Sequence, residues 1–207
     1  MNRFDPNDTV VLAIDFQRAF CAPDGSVARQ GRDIGSCAEA ASRAYALIGA
    51  ARTAGLRILW TRMMFRPDYC DGGVLVHDLR TGMKKIGALR AGTADVELMP
   101  DAPVEPEDIV IDKNRYSAFV GTDLDLLLRN LGTRNILVAG VTTSMCVETT
   151  VREASQRDYM PYVVPEACAD FAAERHDASL SALEFGFARL LPLADALAAL
   201  RPADAAQ

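Results

Sequence analysis

Short, continuously apolar runs alternate along this chain with longer stretches whose apolar positions recur every three to four residues. The run Thr9–Asp15 (Thr-Val-Val-Leu-Ala-Ile-Asp) has no polar interruption until its last residue, the pattern of a strand buried on both faces. Ser36 to Thr53 is Ala-rich and helical in period, with Ser36 placed to cap its start and Gly55 to end it. Further strands are predicted at Leu56–Thr61, Asp108–Lys113, Arg134–Gly140, Tyr159–Val164 and Ala188–Leu193. The intervening helices are predicted at Gly121–Asn130, Ser144–Arg157 and Glu174–Phe185, and the tail from Arg201 is expected to fray. The segment Arg62–Pro106 is long, carries Gly and Pro, and has little periodicity; loops of that length inside a compact domain usually serve function.

Strands that alternate with helices predict an α/β fold, a Rossmann-like three-layer α/β/α arrangement around a six-stranded, mainly parallel sheet. No linker or internal repeat divides the 207 residues, so one domain over 1–207, with its core at about 9–193, is expected. In such sheets ligands bind beyond the carboxyl ends of the strands. That rule selects Asp15 at the end of the first strand, Lys113 at the end of the third, and Cys146 in the turn after the fourth. An acid, a base and a thiol should meet at one edge.

Composition narrows the chemistry. Half of the residues are apolar and 24% charged, as in a globular protein, and no apolar run approaches the roughly 20 residues of a membrane span. The polar N-terminus lacks a signal-like run, so a cytoplasmic location is expected. A net charge of −6 argues against nucleic acid or membrane as partner and leaves a small molecule. Five scattered cysteines without a Cys-x-x-Cys pair, and two histidines, His77 and His176, exclude a zinc finger, a disulfide framework and a thioredoxin motif. Among 22 basic residues only Lys84, Lys85 and Lys113 are lysines. Lys113 stands out as a position that needs an ammonium rather than a guanidinium, while Lys84 and Lys85 read as a solvated loop pair.

At the start of a helix, Cys146 would be held as a thiolate by the unpaired N–H groups there and by a neighbouring Lys113 ammonium. Asp15 can take the thiol proton and return it to a leaving amine. The backbone N–H groups of Thr142 and Cys146 can cradle a developing oxyanion. These are the parts for attack on an amide-like carbonyl. Taken one at a time they have plainer uses: an isolated Cys is ordinarily a small buried hydrophobe, and a strand-ending Asp a turn cap. Cys21, Cys37, Cys70 and Cys168 keep that structural reading.

Three segments in order, Ala13-Ile-Asp15-Phe-Gln17, Lys113-Asn-Arg-Tyr-Ser-Ala-Phe119 and Gly140-Val-Thr-Thr-Ser-Met-Cys146-Val-Glu-Thr-Thr150, resemble the isochorismatase-like cysteine hydrolases from about Thr9 to Leu190. The resemblance implies a catalytic triad of Asp15, Lys113 and Cys146 and a cis peptide between Val141 and Thr142. It also implies assembly as a homodimer or homotetramer. Isochorismatases proper typically lack the cysteine, so Cys146 favours the amidohydrolases of small linear amide or carbamoyl compounds, the N-carbamoylsarcosine, biuret, maleamate and ureidoacrylate type. Metal-binding nicotinamidases of the family use histidines near the second strand; Thr61–Asp68 has none, so no metal or cofactor is expected. In the ureidoacrylate type a Tyr three positions after the Lys lies near substrate, and Tyr116 is its match. Phe20, Met63, Phe65, Tyr116 and Phe119 are candidates to line the substrate pocket, with Met64 beside them, and Arg62 or Arg66 to hold a substrate carboxylate. Two other readings stand beside this one: a vinyl-ether hydrolase with Asp15 as the acid, and a non-catalytic binding or assembly module on the same fold.

Overall fold

The computed structural model describes residues 4–201. Its centre is a six-stranded, all-parallel sheet in the order β3-β2-β1-β4-β5-β6, built from β1 (Thr9–Ile14), β2 (Arg57–Met63), β3 (Ile109–Lys113), β4 (Asn135–Val141), β5 (Met160–Ala169) and β6 (Arg189–Leu190). This is the doubly wound order, which reverses direction between β1 and β4 and opens a crevice outside their carboxyl ends. Three helical segments lie between β1 and β2: α1 (Arg18–Cys21), α2 (Ser26–Arg29) and α3 (Gly35–Thr53). The remaining α-helices among the described residues are α4 (Gly82–Ile86), α5 (Leu124–Asn130), α6 (Glu148–Gln156), α7 (Ala173–Gly186) and α8 (Leu193–Ala199).

The period-two alternation of a strand divides the core into two layers. Val10, Leu12 and Ile14 of β1 join Leu59, Met63, Ile136 and Val138 in the layer completed by residues of α5, α6 and α7. Val11 and Ala13 join Ile58, Trp60, Leu137 and Ala139 in the other, completed by α3 and α8. Both faces of β1, and of β4 after Asn135, are therefore dry, which is why these two read as apolar runs.

The predicted elements are present with shifted ends. Ser36 lies inside α3 and gives its hydroxyl to the Asp170 carbonyl (3.0 Å); Asp33 Oδ1 instead accepts the Gly35 N–H (2.8 Å) at the helix start. Gly55, at φ +83°, ends α3 as expected. β5 runs five residues beyond Val164, through an irregularity opposite Val138–Gly140 that contains Pro165, a residue without an N–H for the ladder. The helix expected from Ser144 begins as a π-helical turn, Thr143–Val147, before α6. α8 was not predicted, and β6 shrinks to two residues. Most of the predicted tail lies outside the described residues. No described helix is long and apolar enough to cross a membrane.

Candidate active site

Three separate strand ends bring Asp15, Lys113 and Cys146 together. Gly140 of β4 pairs with Ile14 of β1, and a Cβ there would lie 2.5 Å from that of Ile14, so only glycine permits this approach. One residue on, Asp15 turns out of the strand at φ +57°, a sparsely populated conformation for a non-glycine residue. It is held by its N–H on the Thr61 carbonyl (3.2 Å), by the Gln17 N–H on its own carbonyl (2.7 Å) and by Thr61 Oγ1 donating to Oδ1 (2.6 Å). Lys113 ends β3 opposite Met63. Its Nζ lies 2.7 Å from Asp15 Oδ2, 3.4 Å from Cys146 Sγ and 3.2 Å from the Arg115 carbonyl. The Lys113 and Asp15 side chains are wholly enclosed, and Cys146 is buried. Asp15 Oδ2 thus faces the Lys113 ammonium, while Oδ1 is held by Thr61.

This geometry corrects one expectation. Burial pushes the Cys146 thiol above its ordinary pKa; the Lys113 ammonium pulls it down, but Asp15 on the other side raises it again. The thiol rests protonated, not as a thiolate. Lys113 is the converse: burial works against its charge, yet Asp15 and Cys146 together hold its pKa above the usual lysine value. The centre is a buried ion pair beside a neutral thiol.

The turn that carries Cys146 is clamped from two sides. Asp170 Oδ2 accepts both the Ser144 N–H (3.0 Å) and its hydroxyl (2.6 Å), while Oδ1 accepts from Arg175 and the Phe171 N–H. Burial opposes the Asp170 charge, but Ser144 and Arg175 outweigh it and hold the carboxyl below its ordinary pKa. Thr143 Oγ1 meets His176 Nδ1 at 2.8 Å, and Thr150 donates to the Cys146 carbonyl at 2.6 Å. The Val141–Thr142 peptide is cis.

A cavity of about 140 Å³ opens onto Cys146 and Thr142, with Phe20, Met63, Met145 and Tyr116 among its walls. Phe65 and Phe119 do not line it. Phe65 lies past the end of β2, where its backbone bonds to Leu89 and Ala91 and its ring packs on Tyr69. Phe119 faces away, stacked on Tyr159 beneath Arg157. Nor is either suspected arginine a lining residue: Arg62 is paired through two nitrogens with Asp112, and Arg66 is exposed elsewhere. The arginines at the cavity are Arg32 and Arg80, which sequence reasoning missed. Gln17 was quoted only as part of a motif. It is fully buried and fixes Met63, accepting its N–H (2.7 Å) and donating to the carbonyls of Met63 and Val96. Cys21, Cys37 and Cys168 are buried, but Cys70 is exposed, contrary to its structural reading. Among the described residues no cluster of three or more His, Cys, Asp or Glu side chains is arranged to hold a metal ion.

The isochorismatase domain model matches residues 9–195. A ureidoacrylate amidohydrolase of Methylorubrum extorquens, RutB, is 32% identical over 198 residues, which span 90% of this chain and 77% of that protein. A cysteine hydrolase from Pseudomonas syringae pv. phaseolicola superposes with a TM-score of 0.88 at 28% identity, over 97% of this chain and 95% of that one. N-carbamoylsarcosine amidase from Thermoplasma acidophilum shares the fold, with a TM-score of 0.72 and 21% identity over 90% of this chain and 96% of its own.

Proposed function

The chain belongs to the isochorismatase family, and from that membership we propose that it is a cysteine amidohydrolase that needs no metal and releases ammonia from a small linear amide or carbamoyl compound. The observation that carries this reading is the contact of Cys146 Sγ with the buried Lys113–Asp15 pair at the cavity. The name of the ureidoacrylate amidohydrolase relative supports the same bond type.

In this reading substrate enters with its carbonyl carbon against Sγ and its oxygen toward the N–H groups of Thr142 and Cys146. Asp15 Oδ2 takes the thiol proton as Sγ attacks, and the Lys113 ammonium balances the charge that moves from carboxylate to sulfur and oxygen. Collapse of the tetrahedral adduct breaks the C–N bond. The protonated Asp15 gives its proton to the departing nitrogen, which leaves as ammonia, and a thioester remains on Cys146. A water then loses a proton to Asp15, attacks the thioester and yields the acid, and the proton returns to sulfur. A neutral resting thiol suits this sequence, because attack and proton transfer begin together once substrate has displaced water.

The test is an ammonia-release screen over ureido acids, primary amides and biuret-like compounds, with hydroxylamine present in parallel. Ammonia release indifferent to EDTA, diversion of product to a hydroxamate, and loss of both in Cys146→Ala are expected. Chelator-sensitive turnover would overturn the proposal. So would pyruvate release from isochorismate that persists in Cys146→Ala, since vinyl-ether hydrolysis passes through no acyl intermediate.

A further inference from the structure

Two strands, β2 and β1, separate the strand that ends in Lys113 from the one that leads to Cys146. At the usual spacing of a sheet those two strands run roughly 14 Å apart. The sheet therefore sets the distance from ammonium to sulfur only through three successive ladders, and β3 stands at its edge. A shorter tie exists in the hydroxyl of Thr150, a residue of α6 that is 1% exposed.

Thr150 Oγ1 donates to the Cys146 carbonyl (2.6 Å) and accepts the Ala118 N–H (3.0 Å). A helical threonine often gives its proton to the carbonyl four residues back, and Thr149 does so with Met145 (2.7 Å). The second bond sets Thr150 apart. Its one proton is spent on Cys146, so it meets Ala118 only as an acceptor. Ala118 is wholly buried, where an N–H must find its partner within the protein. It lies five residues on from Lys113, in the loop that supplies Tyr116 to the cavity and the Arg115 carbonyl to the ammonium (3.2 Å). α6 grips that loop once more, where Ser117 Oγ donates to Glu153 Oε2 (2.5 Å).

We infer that Thr150 is a positioning residue: by joining the Cys146 turn to the loop behind Lys113, it holds the ammonium 3.4 Å from the sulfur. Its effect on turnover rests on the amidohydrolase reading above. The distance matters because burial makes the Cys146 thiolate hard to form and Lys113 makes it easier. With the tie cut and the ammonium withdrawn, a thiolate becomes harder to form. Were the cut merely to admit water, burial would be relieved and a thiolate would form more readily. The two cases have opposite signs.

The experiment follows iodoacetamide alkylation of Cys146 in Cys70→Ser protein, by the mass of the Cys146 peptide at about pH 9, beside ammonia release. Thr150→Val keeps the shape and loses the hydroxyl. Alkylation should slow roughly five- to tenfold, the effect on a thiolate of an ammonium retreating about 1 Å from 3.4 Å at an effective dielectric of about 20. The kcat for ammonia release should fall with KM little changed, and Thr150→Ser should restore both rates. Thr149→Val, which removes a hydroxyl bonded only to the Met145 and Cys146 carbonyls, should leave both near wild type. Added to Lys113→Met, Thr150→Val should slow alkylation no further, since no ammonium is left to place. Alkylation unchanged or faster in Thr150→Val, or a slowing that persists beside Lys113→Met, overturns the inference. Should Thr150→Val fail to fold, Ser117→Ala frees the same loop from α6 and must slow alkylation; an unchanged rate there overturns the inference as well. Alkylation involves no substrate, so the two proposals fail separately. Slowed alkylation in a protein that releases no ammonia from any amide keeps the role of Thr150 and sinks the amidohydrolase reading. Ammonia release with alkylation indifferent to Thr150→Val does the reverse.

Discussion

Replacing Lys113 by Met, which is near lysine in length but uncharged, separates what the ammonium does for the fold from what it does for the reaction. At an effective dielectric of about 20, a unit charge 3.4 Å from the sulfur is worth about 5 kcal/mol to a thiolate there, and at 2.7 Å from the carboxylate about 6 kcal/mol. The first contact matters when the thiol proton moves to Asp15 and the negative charge appears on sulfur, so its loss should slow acylation by roughly three orders of magnitude or more. The second matters at all times. Removing one partner of a buried pair leaves the other uncompensated, at a cost of about 3–5 kcal/mol. Urea unfolding of Lys113→Met should show that loss, and Asp15→Asn added to it should recover much of the stability and none of the activity. The assays are the unfolding midpoint and the initial rate of ammonia release. A single variant within tenfold of wild-type kcat, or a double variant no more stable than the single, would refute the argument that one ammonium serves both carboxylate and sulfur.

Other outcomes follow from the state of the thiols and from the clamp on the nucleophile turn. Because Cys146 is buried and protonated at rest, iodoacetamide should label the exposed Cys70 first, and Cys70→Ser should remove the fast phase; faster labelling of Cys146 would restore the resting thiolate. Burial raises Cys21, and raises Cys37 and Cys168 to about 12, so the folded state keeps protons that the unfolded chain releases above pH about 8.5. Stability in reductant should therefore fall as pH rises from 8 to 10, by about 2 kcal/mol in all for each such thiol, and an unfolding midpoint flat over that range would contradict it. Asp170→Asn weakens the acceptor for Ser144 and strips Arg175 of its partner, so a loss of roughly 1–3 kcal/mol is expected, together with slower acylation because the Cys146 turn loosens. Unchanged rates with lowered stability would reduce Asp170 to a structural role.

The centre of the sheet was legible because β1 and β4 are covered on both faces, and β1 is accordingly apolar from Val10 until Asp15 leaves the ladder. Where a strand departs from that rule the reading stopped early: Pro165 and the irregularity beside it hid the second half of β5, and the Ala-rich segment before Arg201 gave no polar face by which to recognise α8. The site was legible as far as chain order and strand ends go, which is enough for Asp15, Lys113 and Cys146. Its walls were not. Met63 and Phe65 share a parity, so a period-two argument treats them alike, but β2 ends at Met63 and Phe65 answers to the Leu89–Ala91 segment instead. Arg80 sits in the stretch without periodicity, where nothing in the spacing tells which way a side chain turns. The protonation of Cys146 was out of reach for a different reason: it depends on the balance between burial and two opposed charges, and sequence supplies the charges without the burial.

One further consequence lies in the position of β3. This strand is hydrogen-bonded to β2 alone, and Val110 on it is exposed, yet its last residue provides the buried ammonium. An outermost strand is the first to peel away when a sheet is warmed, because it has one ladder to lose where β1 and β4 have two. Peeling β3 withdraws Lys113 and takes only Ile111 and the flanking Ile109 from one core layer, while the other stays closed. Heat inactivation should then run ahead of melting, and a sample can keep its full helical signal after it has ceased to turn over. Folded and competent are two different thresholds in this molecule.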